Sequence, residues 1–152
     1  MSLRERLSQA LKEAMKAREA DRTSTLRLIN AAIKDRDIAA RGETGSDGVS
    51  DAEILAILGK MVKQRQESAR IYEEGGRLEL AEKELAEIKV IEEFLPRQLS
   101  EAEVAEAIAA AIAETGAGSI RDMGRVMAVL KVKYTGQMDF GATGPMVKDR
   151  LG

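Results

Sequence analysis

Apolar side chains recur every three or four residues along most of this 152-residue chain, the period of helices buried on one side. Leu3, Leu7, Ala10 or Leu11, and Ala14 predict a first helix over residues 3–19 with a charged opposite face. Leu26, Ile29 and Ile33 predict a second from about Arg22 to Ala40, with Asp21 capping it by accepting a bond from an unpaired backbone amide. Between Arg41 and Ser50, three glycines among short polar residues break the rhythm, which marks the clearest mobile loop. Ser50-Asp51-Ala52-Glu53 is a capping box: the Ser50 hydroxyl accepts the Glu53 amide proton and the Glu53 carboxylate accepts that of Ser50. Ile54, Leu58, Met61 or Val62, Ala69 and Tyr72 carry an apolar face through the third helix. Arg65 interrupts it, so its stem packs beneath a solvated guanidinium or it meets a carboxylate at a helix contact. Gly75-Gly76 supplies the left-handed backbone that helix ends use.

Leu78, Ala81, Leu85, Ile88 and Ile91 or Leu95 predict the inner face of a fourth helix, about Arg77 to Glu93. Its other positions are mostly Glu and Lys, a solvated face. At Leu95-Pro96 the direction changes, because proline lacks an amide donor and restricts the residue before it. Ser100 and Glu103 form a second capping box, opening a fifth helix with Val104, Ile108, Ala111 and Ile112 inward and Gly116 and Gly118 at its end. Ser119 or a neighbour caps a sixth, whose Met123, Met127, Leu130 and Tyr134 make a core stripe. Residues 136–141 connect with hydrophobic pins, and Asp139 accepts local backbone bonds. Thr143 is expected to cap a short terminal helix, with Pro145 in its first turn and Met146, Val147 and Leu151 packing. The fold class that follows is all-α: a four-helix region over residues 1–95, then a three-helix domain over residues 96–152.

The chemistry on offer is narrow. With no cysteine and no histidine, a disulfide framework, thiol catalysis, a histidine triad and the usual zinc sites are excluded. Carboxylates and lysines remain, but Glu73 and Glu74, like Glu92 and Glu93, are adjacent and point in different helical directions, a poor acid/base pair. No catalytic residue, cofactor or metal site is assigned, and oligomeric state is left open. Residues 1–4 lead straight into a charged amphipathic pattern without an apolar signal core, and no 18-residue apolar run occurs, so the expectation is a soluble cytoplasmic protein with no membrane partner.

A formal net charge of -2 conceals an asymmetry. Residues 1–41 hold ten Lys/Arg against six Asp/Glu, residues 42–95 seven against thirteen, and residues 96–152 seven of each. The acidic middle argues against indiscriminate nucleic-acid binding, while local basic faces remain able to meet a shaped RNA.

Between residues 63 and 103 the segments KQRQES, IYEEGGR and FLPRQLSEAE occur in that order, followed by DMGRVM, GQMDF and VKDRLG. This ordered set closely resembles the GatB/YqeY family, and the resemblance covers almost the whole chain. The resemblance implies a stand-alone relative of the tail region of the B subunit of transfer-RNA-dependent amidotransferase. Those enzymes amidate glutamate or aspartate already attached to transfer RNA; the tail helps recognise the RNA, and the catalytic machinery lies outside it. The ligase reaction is therefore not carried over, and the chain by itself is expected not to be an enzyme.

Two basic surfaces are candidates for RNA contact. Arg121 and Arg125 share a side of the sixth helix roughly opposite the methionine stripe, with Lys131 and Lys133 on its flanks. Lys63 and Arg70 align on the third helix near Lys60 and Arg65, although Glu67 between them can neutralise both. The leading expectation is a non-catalytic recognition module for transfer RNA or a transfer-RNA-associated protein complex. Its competitors are a protein-interaction adaptor, using the long helices and acidic middle, and an accessory of glutamine-dependent carbon-nitrogen ligase activity.

Overall fold

The computed structural model describes residues 2–44 and 48–152, without the side chains of residues 43 and 44. Seven α-helices follow in chain order, with one 3-10 turn before the sixth and no strand among the described residues. They are α1 Leu3–Lys16, α2 Ala20–Thr44, α3 Asp51–Glu74, α4 Leu78–Glu92, α5 Glu101–Thr115, α6 Met123–Lys133 and α7 Phe140–Leu151, the turn being Ile120–Asp122. The chain divides into two compact units, Met1–Leu95 and Pro96–Gly152.

Local chemistry sets most of the helix ends. The Ser2 hydroxyl accepts the Glu5 amide at 3.2 Å to start α1, and capping boxes at Ser50 and Ser100 start α3 and α5 as the sequence predicts. The end of α1 is less expected. The Arg18 amide donates to Met15 and the Glu19 amide to Ala14, which closes the helix through a left-handed Arg18, φ 56°, where glycine is the usual occupant. This turn lets α2 begin at Ala20, so Asp21 lies inside the first helical turn instead of capping it. At the other end α2 runs on to Thr44, converting the front of the predicted loop into helix; residues 45–47 of that loop lie outside the described residues.

The first unit is filled by aliphatic side chains from all four of its helices, with Leu7, Leu26, Ile29, Ile54, Leu58 and Ile91 fully buried. Phe94 closes the cluster while the Arg6 guanidinium stands 5.6 Å from its ring centre. The inner face of α4 differs from the predicted one: Ala81, Ile88 and Ile91 are buried, whereas Leu78 is 61% and Leu85 42% exposed. The cause lies in α3, where Arg65 interrupts the apolar face and takes a carboxylate from α4. Arg65 Nε donates to Glu87 at 2.8 Å and Arg65 Nη1 to the Met61 carbonyl at 3.2 Å. Turning Glu87 toward α3 rotates Leu78 and Leu85 outward.

In the second unit Ile108, Val126, Leu130 and Val147 are fully buried, with the small Ala107 and Ala111 allowing close approach to α5. Met123, Met127 and Tyr134 pack half-buried against this cluster. The connector is held to residues 97–99 by three bonds: Leu99 amide to Gln137 carbonyl at 2.9 Å, Gln98 side chain to Gly136 carbonyl at 2.6 Å and Gln137 side chain to Arg97 carbonyl at 3.1 Å. Asp139 caps α7 by accepting the Gly141 amide at 3.0 Å, so this helix starts earlier than predicted. Thr143 is buried within it, and its hydroxyl donates back to the Asp139 carbonyl at 2.9 Å. Met146, expected to pack, is 40% exposed.

The Ser100 box is reinforced from outside the helix. Arg97 forks onto Glu103 with bonds of 2.9 and 2.8 Å, while Glu103 also accepts the Ser100 amide at 3.0 Å. Together, Arg97 first, they lower the Glu103 pKa to about 2. A carboxylate whose folded pKa is depressed stabilises the fold above its unfolded pKa, and that contribution disappears as pH falls through the folded value. The window runs from the ordinary carboxylate range down to about 2. In Arg97→Gln the Glu103 midpoint is expected to climb back toward the ordinary range in a carboxyl-carbon NMR titration. An unmoved midpoint would show that the capping amide alone sets it.

Candidate nucleic-acid interface

The turn and α6 place four cations and one carboxylate between Ile120 and Lys133, within a unit whose formal charges sum to zero. Because Val126 and Leu130 fix the inward face of α6, Arg125, Ala128 and Val132 point outward; Val132 is 82% exposed. Arg121 precedes this ridge from the turn, and Lys131 and Lys133 stand on its two sides.

The four cations differ in their partners. Arg121 and Lys131 are exposed and stand in no ion pair among the described residues. Arg125 donates to Asp122 at 2.6 Å and to the Thr115 carbonyl at 3.2 Å, which holds its guanidinium at the end of α5. Asp122 itself is fixed by the Gly118 and Ser119 amides at 2.9 and 3.3 Å. Those backbone bonds, Gly118 first, together with Arg125 hold its carboxyl below the usual range. Lys133 reaches Glu114 at 2.6 Å, and this pair raises the lysine pKa. Solvent screens exposed pairs of this kind, so each contributes little to stability. A phosphate oxygen can take the place of either carboxylate at small cost.

On α3 the other candidates are more fully engaged. Arg70 bonds to Glu67 and, at 2.9 Å, to Glu74, and Lys63 also has a partner. The acidic neighbours therefore neutralise this surface locally. Sequence reading passed over a further set of cations: Arg27, Lys34 and Arg41 are all exposed on α2. Their seven-residue spacing was the available signal.

Among the described residues no cluster of three or more acidic side chains is arranged to hold a metal ion, and no helix is long and apolar enough to cross a membrane. Helical units presenting outward cations define a small all-α protein. The chain belongs to the YqeY-like protein family, whose profile matches residues 4–151. This match is consistent with the resemblance to the amidotransferase tail region.

Among relatives, Schizosaccharomyces pombe "Uncharacterized protein C22F3.15" is 31% identical over 90 residues, 59% of this chain and 69% of that protein. "Altered inheritance of mitochondria protein 41, mitochondrial" is 36% identical in Clavispora lusitaniae and 30% in Lachancea thermotolerans. Those matches cover 56% and 64% of this chain, and 46% and 51% of the relatives, so the matched stretch spans about half of each yeast protein. Both carry a mitochondrial designation, which corrects the expected cytoplasmic location. The lack of an apolar run in the sequence does not distinguish one compartment from another.

Proposed function

We propose that the protein is a non-catalytic recognition module for transfer RNA or a complex that carries it, and that the α6 ridge contacts the RNA backbone. The observation carrying this reading is the gathering of Arg121, Arg125, Lys131 and Lys133 along the turn and the exposed side of α6, in a unit whose formal charges otherwise lean acidic. Resemblance to the amidotransferase tail supports the same ligand. Cations set at intervals on a rigid helix position a phosphate backbone, and the shape of a folded RNA supplies selectivity.

Removing two phosphate contacts in R121Q/R125Q is expected to weaken binding of an intact transfer RNA at least tenfold and to reduce the salt slope by about two. Helicity should stay unchanged, since both side chains are exposed. Native affinity and slope in the double variant would remove α6 as the contact surface.

A second reading draws on a different feature. Ile71, Leu78 and Leu85 are exposed on α3 and α4 amid acidic side chains, a surface suited to a protein adaptor. Retention of one reproducible protein partner after nuclease treatment would favour it, and loss of that partner on treatment would return the reading to RNA.

A further inference from the structure

Along α2, Arg27, Ala31, Lys34, Ile38 and Arg41 fall on one exposed face. Seven residues advance a helix by about 10 Å and return the side chain to within about 20°, so the three cations form a straight row. Elsewhere in this unit Arg4, Arg22, Arg36, Arg65 and Arg70 each meet a carboxylate. The row on α2 forms no such salt bridge among the described residues, although Arg41 is near enough to help lower the Asp37 pKa. Arg27 touches only the Met15 sulfur, at 4.0 Å, and neither Lys34 nor Arg41 stands in a salt bridge among the described residues.

At the middle of the row lies a cleft of about 200 Å³ between α1 and α2, lined by Arg4, Ser8, Asn30, Ile33, Lys34 and Asp37. Asp37 is already taken by two Arg4 bonds and by the Val49 amide at 2.9 Å. The Ser8 hydroxyl and the Asn30 amide have no side-chain bond among the described residues. Lys34 therefore enters the cleft beside two neutral donors, the set of groups that receives a phosphate oxygen.

We infer that the α1–α2 face is a second backbone-binding surface for RNA, with one phosphate seated at Lys34, Ser8 and Asn30 and its neighbours drawn to Arg27 and Arg41. This rests on the proposed recognition function but uses a surface distinct from α6. A protein partner suits the face less well, because its exposed large apolar side chains, Met15, Leu28 and Ile38, are separated by charged and polar ones. For the same reason it lacks the broad apolar stripe with which a helix enters a membrane surface.

Anisotropy titration of a labelled transfer-RNA transcript with the full chain, across a salt series, tests this directly. R27Q/K34Q is expected to lose about tenfold in affinity and about two units of salt slope, with circular dichroism unchanged and binding restored in the charge-keeping R27K/K34R. Loss in R27Q/K34Q with R121Q/R125Q unaffected would support the α2 surface and remove the α6 one. Native binding by R27Q/K34Q overturns the inference and, where R121Q/R125Q is impaired, leaves the recognition function standing. If the native protein fails to bind transfer RNA, both fall. Should R27Q/K34Q instead lose binding to phosphatidylglycerol vesicles while RNA affinity is native, the face belongs to a lipid surface and the inference is overturned.

Discussion

Replacing Leu130 by alanine is expected to remove about 3 kcal/mol of stability from the unit spanning residues 96–152. Leu130 is fully buried on α6, within a cluster that also draws on α5 and α7. Truncation forfeits the transfer energy of the lost carbons and leaves a cavity whose walls include the small Ala107 and Ala111, which are too short to fill it. A unit of this size has little stability to spare. Native-state hydrogen exchange should therefore show the amides of α5, α6 and α7 losing most of their protection, while those of α1 to α4 keep theirs. A loss below about 1 kcal/mol would mean that the site collapses around the smaller side chain. The same variant separates scaffold from surface: transfer-RNA affinity should fall with the folded fraction of α6 and recover on cooling, unlike the loss in R121Q/R125Q.

Much of this architecture was legible because its signals are local. Ser50 with Glu53 and Ser100 with Glu103 mark helix starts whose partners lie three residues away; nothing distant has to be known. The all-helical class follows equally directly from the spacing of Leu26, Ile29 and Ile33 or Ile54, Leu58 and Met61. Misreadings arose where two local signals competed. Thr143 before Pro145 resembles a cap, yet Asp139 caps α7 first and the threonine hydroxyl turns back to a carbonyl of its own helix. Asp21 follows the same logic, displaced by a left-handed Arg18 that no propensity suggests. The face of α4 required a tertiary fact, the carboxylate claimed by Arg65.

The candidate interface was legible only as charge. Sequence marks Arg125 and Lys133 as basic; only the fold shows that Asp122 and Glu114 hold them, or that Glu74 joins the expected Glu67 on Arg70. The row on α2 escaped notice because Asp35, Asp37 and Arg36 are interleaved with it. Separating those side chains needs the pairings Arg4–Asp37 and Arg36–Glu53.

Glu87→Ala is expected to cost about 2–3 kcal/mol, far more than removal of any exposed carboxylate on α4. Arg65 and Glu87 are 15% and 17% exposed, so the alanine variant leaves a guanidinium mostly shielded from water with only the Met61 carbonyl as a partner. The value stays below that of a fully buried pair because some water still reaches both groups. The charge itself is not what the fold needs. R65M/E87L replaces both groups with apolar side chains of similar reach and should recover most of the loss, so that the double variant is more stable than Glu87→Ala. Urea unfolding of the native chain and both variants measures the difference through the midpoint at constant slope. Equal destabilisation in the two variants would show that the pair fixes the α3–α4 contact through its geometry, not through the penalty of a stranded charge. Transfer-RNA affinity in R65M/E87L should match the native chain, since Arg65 is committed to the hairpin and not to the solvent-facing cations of α2 and α6.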